Sequence, residues 1–119
     1  MPVIGVGIDV CDIERFGVSL ERTPGLRERL FPPDEATRPL ASLAARFAAK
    51  EAISKAFGIG ISAELGWLDM EVARRDTGAP YVILHGKGKE LLEARGGSNV
   101  HLSLSHTAHQ ATAMAILEG

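Results

Sequence analysis

At 119 residues the chain has room for one domain, 1–119, and one modest core that buries roughly two-thirds of the unfolded surface. Its hydrophobic content of 45% and charged content of 24% argue against disorder, and a formal net charge of −2 argues against a nucleic-acid partner held by general basicity. Cys11 is the sole cysteine, so no internal disulfide forms. With no basic segment ahead of the first apolar run, the expectation is a cytoplasmic chain without a signal or a membrane span.

Val3 to Val10 is an almost unbroken apolar run, which predicts a strand buried on both faces. Asp9 sits near its end. A carboxylate there needs a hydrogen bond, an ion pair or a metal, or else it caps the helix that Asp12 and Glu14 announce. From Ile13 to about Leu30 the pattern predicts an amphipathic helix or pair of helices, interrupted at Thr23-Pro24-Gly25. Arg15 and Arg22 share a face of it, with Arg27 and Arg29 beyond, a surface that is either plain solvated charge or a dock for an acidic partner. Phe31 to Glu35 reads as a loop.

The next helix organises the chain. It is expected to begin near Ala41 with Ser42 as N-cap and to stop at Gly58. Ala45, Ala49, Ala52 and Ala56 form a smooth stripe for close packing, while Arg46, Lys50, Glu51 and Lys55 occupy other faces. Glu51 and Lys55 are spaced as an ordinary surface ion pair. Arg46 and Lys50 are like charges one turn apart, which suggests an anionic ligand.

Beyond it, Trp67 to Arg74 and Tyr81 to Leu84 predict a hairpin around Asp76 to Pro80, and Lys87 to Arg95 predicts a short helix ended by Gly96 and Gly97. Val100 to Ser105 is a strand with His106 at its end, and Ala111 to Leu117 is expected to return beside it as another.

Asp9 and Glu51 make a pair of hard oxygen donors suited to magnesium, which fills its shell with water and phosphate oxygens. Lys50, Lys55, Arg46 and His106 would then line the phosphate side, as phosphoryl transfer requires. A serine hydrolase fits poorly. Ser105 and His106 point to opposite faces of a strand and there is no G-x-S-x-G elbow, while four histidines without paired spacing and one cysteine make a weak zinc set.

Gly5-Val-Gly-Ile-Asp9 with Asp12-Ile-Glu-Arg15, then Arg46-Phe-Ala-Ala-Lys-Glu-Ala-Ile-Ser-Lys55, then Leu102-Ser-Leu-Ser-His106, resemble in order and spacing the holo-acyl-carrier-protein synthases of the phosphopantetheinyl transferase superfamily. Trp67-Leu-Asp69 and Gly78-Ala-Pro80 resemble the family's intervening hairpin. The resemblance implies an α+β fold, mostly antiparallel sheet on a long helix, in a homotrimer with the site between subunits. It implies magnesium-dependent transfer of the phosphopantetheine arm of coenzyme A to a serine of apo acyl carrier protein, in fatty-acid or polyketide assembly.

By position, Asp9 and Glu51 would hold the metal and Lys55 the diphosphate. Arg46, Lys50, Ser105 and His106 would be candidates for the nucleotide phosphates, and Arg15 and Arg22 would face the acidic carrier. Rival readings of the same residues are a trimeric module that binds coenzyme A or a nucleotide without chemistry, and a metal-dependent phosphohydrolase.

Overall fold

The computed structural model describes residues 2–119. Its elements in chain order are β1 (Val3–Asp12), α1 (Ile13–Arg22), α2 (Leu26–Leu30), α3 (Pro33–Ala36), α4 (Leu40–Phe57), β2 (Met70–Arg74), β3 (Pro80–Leu84), α5 (Gly86–Ala94), β4 (Asn99–His106) and β5 (Gln110–Glu118). Both sheets are antiparallel: three strands in the order β1-β5-β4, and the β2-β3 hairpin beside β4. The α+β expectation of antiparallel sheet on a long helix is met.

The seam between α4 and the three-stranded sheet is the centre of the molecule. Ala111, Ala113, Ala115 and Leu117 of β5 are buried against the alanines of α4, and small side chains on both surfaces let the helix axis approach the strands closely. Gly5 and Gly7 bring β1 closer still. A β-carbon at Gly5 would overlap the carbonyl oxygen of Ala56, and one at Gly7 that of Ala52. Asp9 follows on the same face of the strand, two residues after Gly7, so the glycines set how near its carboxylate comes to the helix.

Three expectations are corrected. β1 is an edge strand with one open face: Val6, Ile8 and Val10 are 60, 57 and 55% exposed, because nothing in a single chain covers that side. Ser42 lies inside α4, which starts at Leu40 after Pro39, and Trp67–Asp69 is a turn of 3₁₀ helix preceding β2. Gly58 does end α4, at φ 78°, with its N–H on the carbonyls of Ser54 and Lys55.

Unlike a helix with one packed face, α4 is enclosed almost all round, by the sheet on one side and by α1, α3 and β2 on the other. Phe31 meets Phe16 edge-on at 6.3 Å, and Phe16, Phe47 of α4 and Trp67 follow one another, with Phe16 to Phe47 at 4.9 Å and Phe47 to Trp67 at 5.2 Å between ring centroids. Among the described residues no helix is long and apolar enough to cross a membrane.

Candidate active site

Three charged groups converge where β1 crosses α4. Lys55 Nζ donates to Asp9 Oδ1 at 2.9 Å and to the Ile8 carbonyl at 3.0 Å, tying the last turn of the helix to the strand. Asp9 does not cap α1. That task falls to Asp12, whose Oδ1 accepts the Arg15 N–H at 2.8 Å, so Asp9 is left facing the helix.

Glu51 lies one turn before Lys55. Burial, then the charge of Asp9, hold its carboxyl above the usual carboxylate range, with Lys55 pulling the other way. The two acids therefore feel each other. Among the described residues the Glu51 carboxylate has no hydrogen bond or ion pair, so two carboxylates share one ammonium and the group keeps a net negative charge. Such a donor set fits a hard divalent cation that completes its shell with water and ligand oxygens. No cluster of three or more His, Cys, Asp or Glu side chains occurs among the described residues, so any cation here depends on those outside oxygens.

Arg46 and Lys50 are not brought to this group, a correction to their expected place on the phosphate side. Their side chains are 1 and 0% exposed and turn to Glu35, which is itself 2% exposed. Lys50 Nζ donates to the Leu30 carbonyl at 2.7 Å, lies 3.4 Å from Glu35 Oε1 and faces the Phe31 ring at 4.9 Å. Arg46 donates from Nε to the Val72 carbonyl and from Nη1 to Ser42 Oγ, with Nε 3.8 Å from Glu35 Oε2. The Val72 N–H closes the cluster on Glu35 Oε1 at 2.9 Å. Only Arg46 Nη2 and Glu35 Oε2 are without hydrogen-bond partners.

Burial lowers the pKa of Lys50 and raises that of Glu35, each partly offset by the other's charge. The like charges at positions 46 and 50 have an anionic neighbour, and it is internal. Sequence reading missed Glu35 because Pro-Pro-Asp-Glu carries only the marks of a surface loop.

Ser105 and His106 stand apart from Asp9 within one chain. Leu104, Ala113 and Asp9 align across the sheet, whereas His106 pairs with Ala111 and ends β4, two strands from β1, about 10 Å across the sheet. Ser105 belongs to the opposite, outer face with Thr112 and Val10. Burial, then the charges of Asp9 and Asp12, push the Cys11 thiol up to about 11, so it packs and does not react.

Arg15 edges a second feature. A mostly apolar hollow of about 430 Å³ is lined by Arg15, Phe16, Leu26, Leu30, Phe47 and Trp67 among others. Arg22 lies at the exposed end of the same helix.

This chemistry agrees with what the chain is similar to. Residues 5–114 match the model of the 4'-phosphopantetheinyl transferase superfamily, and the chain belongs to that superfamily. Within it, the chain is 50% identical over 115 residues to the holo-[acyl-carrier-protein] synthase of Clavibacter michiganensis, covering 97% of this chain and 95% of that one. The Streptomyces avermitilis protein of the same name is 47% identical over the whole of both chains. Among solved structures, the Neisseria meningitidis synthase superposes with a TM-score of 0.92 at 28% identity, covering 99% and 100% of the two chains. The Helicobacter pylori synthase, solved in complex with coenzyme A, superposes with a TM-score of 0.85 at 32% identity, covering 95% and 99%.

Proposed function

We propose that the protein is a holo-[acyl-carrier-protein] synthase: it moves the 4'-phosphopantetheine arm of coenzyme A onto a serine of apo acyl carrier protein and releases adenosine 3',5'-bisphosphate. The observation that carries this is the convergence of Asp9, Glu51 and Lys55 across the β1–α4 seam in a chain of this superfamily. Asp9 and Glu51 would hold Mg²⁺, which would supply charge neutralisation at the diphosphate. Lys55 pairs with the diphosphate oxygens and steadies the departing nucleotide phosphate. The serine oxygen forms the new bond to phosphorus as the bond to the bisphosphate breaks, and the hydroxyl proton passes to a base, for which the Glu51 carboxylate is a candidate.

The exposed stripe of Val6, Ile8, Val10 and Met114 supports a homotrimer closed through the outer face of the sheet, since a row of apolar side chains on a 119-residue chain is an interface in waiting. A neighbouring subunit then delivers Ser105 and His106 to the nucleotide phosphates, which they do not reach within one chain. Arg46 and Lys50, enclosed around Glu35, take no part in that contact. For the carrier, Arg15 and Arg22 offer cations beside the apolar hollow at Phe16, Phe47 and Trp67, a surface complementary to an acidic amphipathic helix. The product carrier serves fatty-acid biosynthesis in the cytoplasm.

The test is an intact-mass measurement on apo acyl carrier protein incubated with the enzyme, coenzyme A and Mg²⁺. A mass gain of one phosphopantetheine arm, lost in Asp9→Asn and in Glu51→Gln, is expected. An unmodified carrier under all conditions rejects the transferase, and free phosphopantetheine released without carrier identifies a phosphohydrolase instead.

A further inference from the structure

The Lys55 ammonium is committed in the free chain. Its bonds to Asp9 Oδ1 at 2.9 Å and to the Ile8 carbonyl at 3.0 Å put it on the carboxylate that the cation uses, although its side chain is 51% exposed and Asp9 only 17%. Glu51, the other carboxylate, stays unpaired one turn away. We infer that Lys55 is a tethered counter-ion that stands in the cation's place at Asp9 until the coenzyme A diphosphate draws it off, so that one side chain makes cation binding depend on the co-substrate. The inference rests on Asp9 and Glu51 being the cation's ligands.

Three features carry it. An ammonium within hydrogen-bond distance of a carboxylate oxygen and a divalent ion on that same carboxylate are like charges a few Å apart, so each weakens the other's hold. The side chain is also free to leave: half of it is in solvent and its four-carbon stem is flexible, whereas Lys50 on the same helix is fully enclosed. A diphosphate, finally, presents several anionic oxygens where Asp9 presents one in contact, so it competes well for the ammonium. Linkage then requires that coenzyme A tighten the cation and the cation tighten coenzyme A.

Mn²⁺ binding followed by electron paramagnetic resonance, on the protein without coenzyme A, reads this directly. Lys55→Met is expected to bind Mn²⁺ about tenfold more tightly than the parent protein, since a like charge leaves the site. Lys55→Gln should do the same. Added coenzyme A should then tighten Mn²⁺ less in either variant than in the parent. Unchanged or weaker Mn²⁺ binding in the folded Lys55 variants overturns the counter-ion role.

Asp9→Asn and Glu51→Gln serve as separate controls. If both hold Mn²⁺ as the parent does, the cation assignment itself fails, whatever Lys55 does. The parent protein supplies an arm that no folding defect can spoil: coenzyme A added without metal should move the Asp9 side-chain carboxyl carbon resonance as the ammonium departs. A resonance that stays put overturns the inference.

Discussion

Glu51, proposed as a ligand of the cation, stands at a cost in stability. Burial and the neighbouring charge of Asp9 raise its folded pKa above the ordinary value, so the native state holds its proton more tightly than the unfolded chain does. The sign follows: the folded chain loses stability as pH rises through that raised value, and ionised Glu51 at neutral pH is a standing penalty. Glu51→Gln is therefore expected to leave Tm at neutral pH unchanged or higher while abolishing transfer, and a clear fall in Tm would contradict the assignment. Carbon-13 titration of the Glu51 carboxyl should place its midpoint above that of an ordinary glutamate, lower in Asp9→Asn and higher in Lys55→Met. Glu35 is the opposite case. It neutralises two enclosed cations, so Glu35→Ala strands Arg46 and Lys50 without a counter-charge and should lose about 3–5 kcal/mol in urea unfolding. A loss under about 1 kcal/mol would show that solvent reaches the cluster.

Among the elements, α4 and β1 define the site jointly, because neither holds both carboxylates. The glycines of β1 matter more to this than any side chain of the strand. Gly7→Ala would push a methyl group into the Ala52 carbonyl, with backbone on both sides and no flexible side chain to yield. The strand must shift away from the helix. We expect a stability loss at or beyond the upper end of the ~1–3 kcal/mol usual for overpacking, together with weaker Mn²⁺ binding as Asp9 moves off Glu51. Denaturation midpoint and Mn²⁺ titration check the two halves. A Gly7→Ala protein with ordinary stability and ordinary Mn²⁺ affinity would mean that the β1–α4 seam does not fix the position of Asp9.

For the molecule as a whole, the open face of β1 is the surface through which the proposed trimer would close. Val6, Ile8 and Val10 with Met114 form an apolar row on the side of the sheet away from α4. Sedimentation equilibrium is expected to give three times the 12.7 kDa chain mass. Ile8→Arg places a charge in the middle of that row and should return the monomer, with transfer activity lost, since Ser105 and His106 no longer reach a neighbour's Asp9. A fully active monomer would remove the intersubunit site from the mechanism.

Much was legible in the linear order of residues. The types of the longer elements, the stop of α4 at Gly58, the hairpin around Gly78 and the pairing of β4 with β5 all follow from local chemistry, namely period, turn residues and a glycine free to take positive φ, whereas the short helix Pro33–Ala36 and the 3₁₀ turn at Trp67 do not. The carboxylate pair and Lys55 were legible too, since charges set in apolar runs demand partners. What only the tertiary structure decided was which partner each charge received. Arg46 and Lys50 look as available as Lys55 on a helical projection, yet the path of residues 30–36 brings Glu35 and the Leu30 carbonyl over one side of α4 and leaves Lys55 to Asp9 on the other. Likewise an unbroken apolar run does not report whether both faces of a strand are covered within one chain. Burial and charge pairing are settled by segments distant in sequence, and no local pattern encodes where those segments arrive.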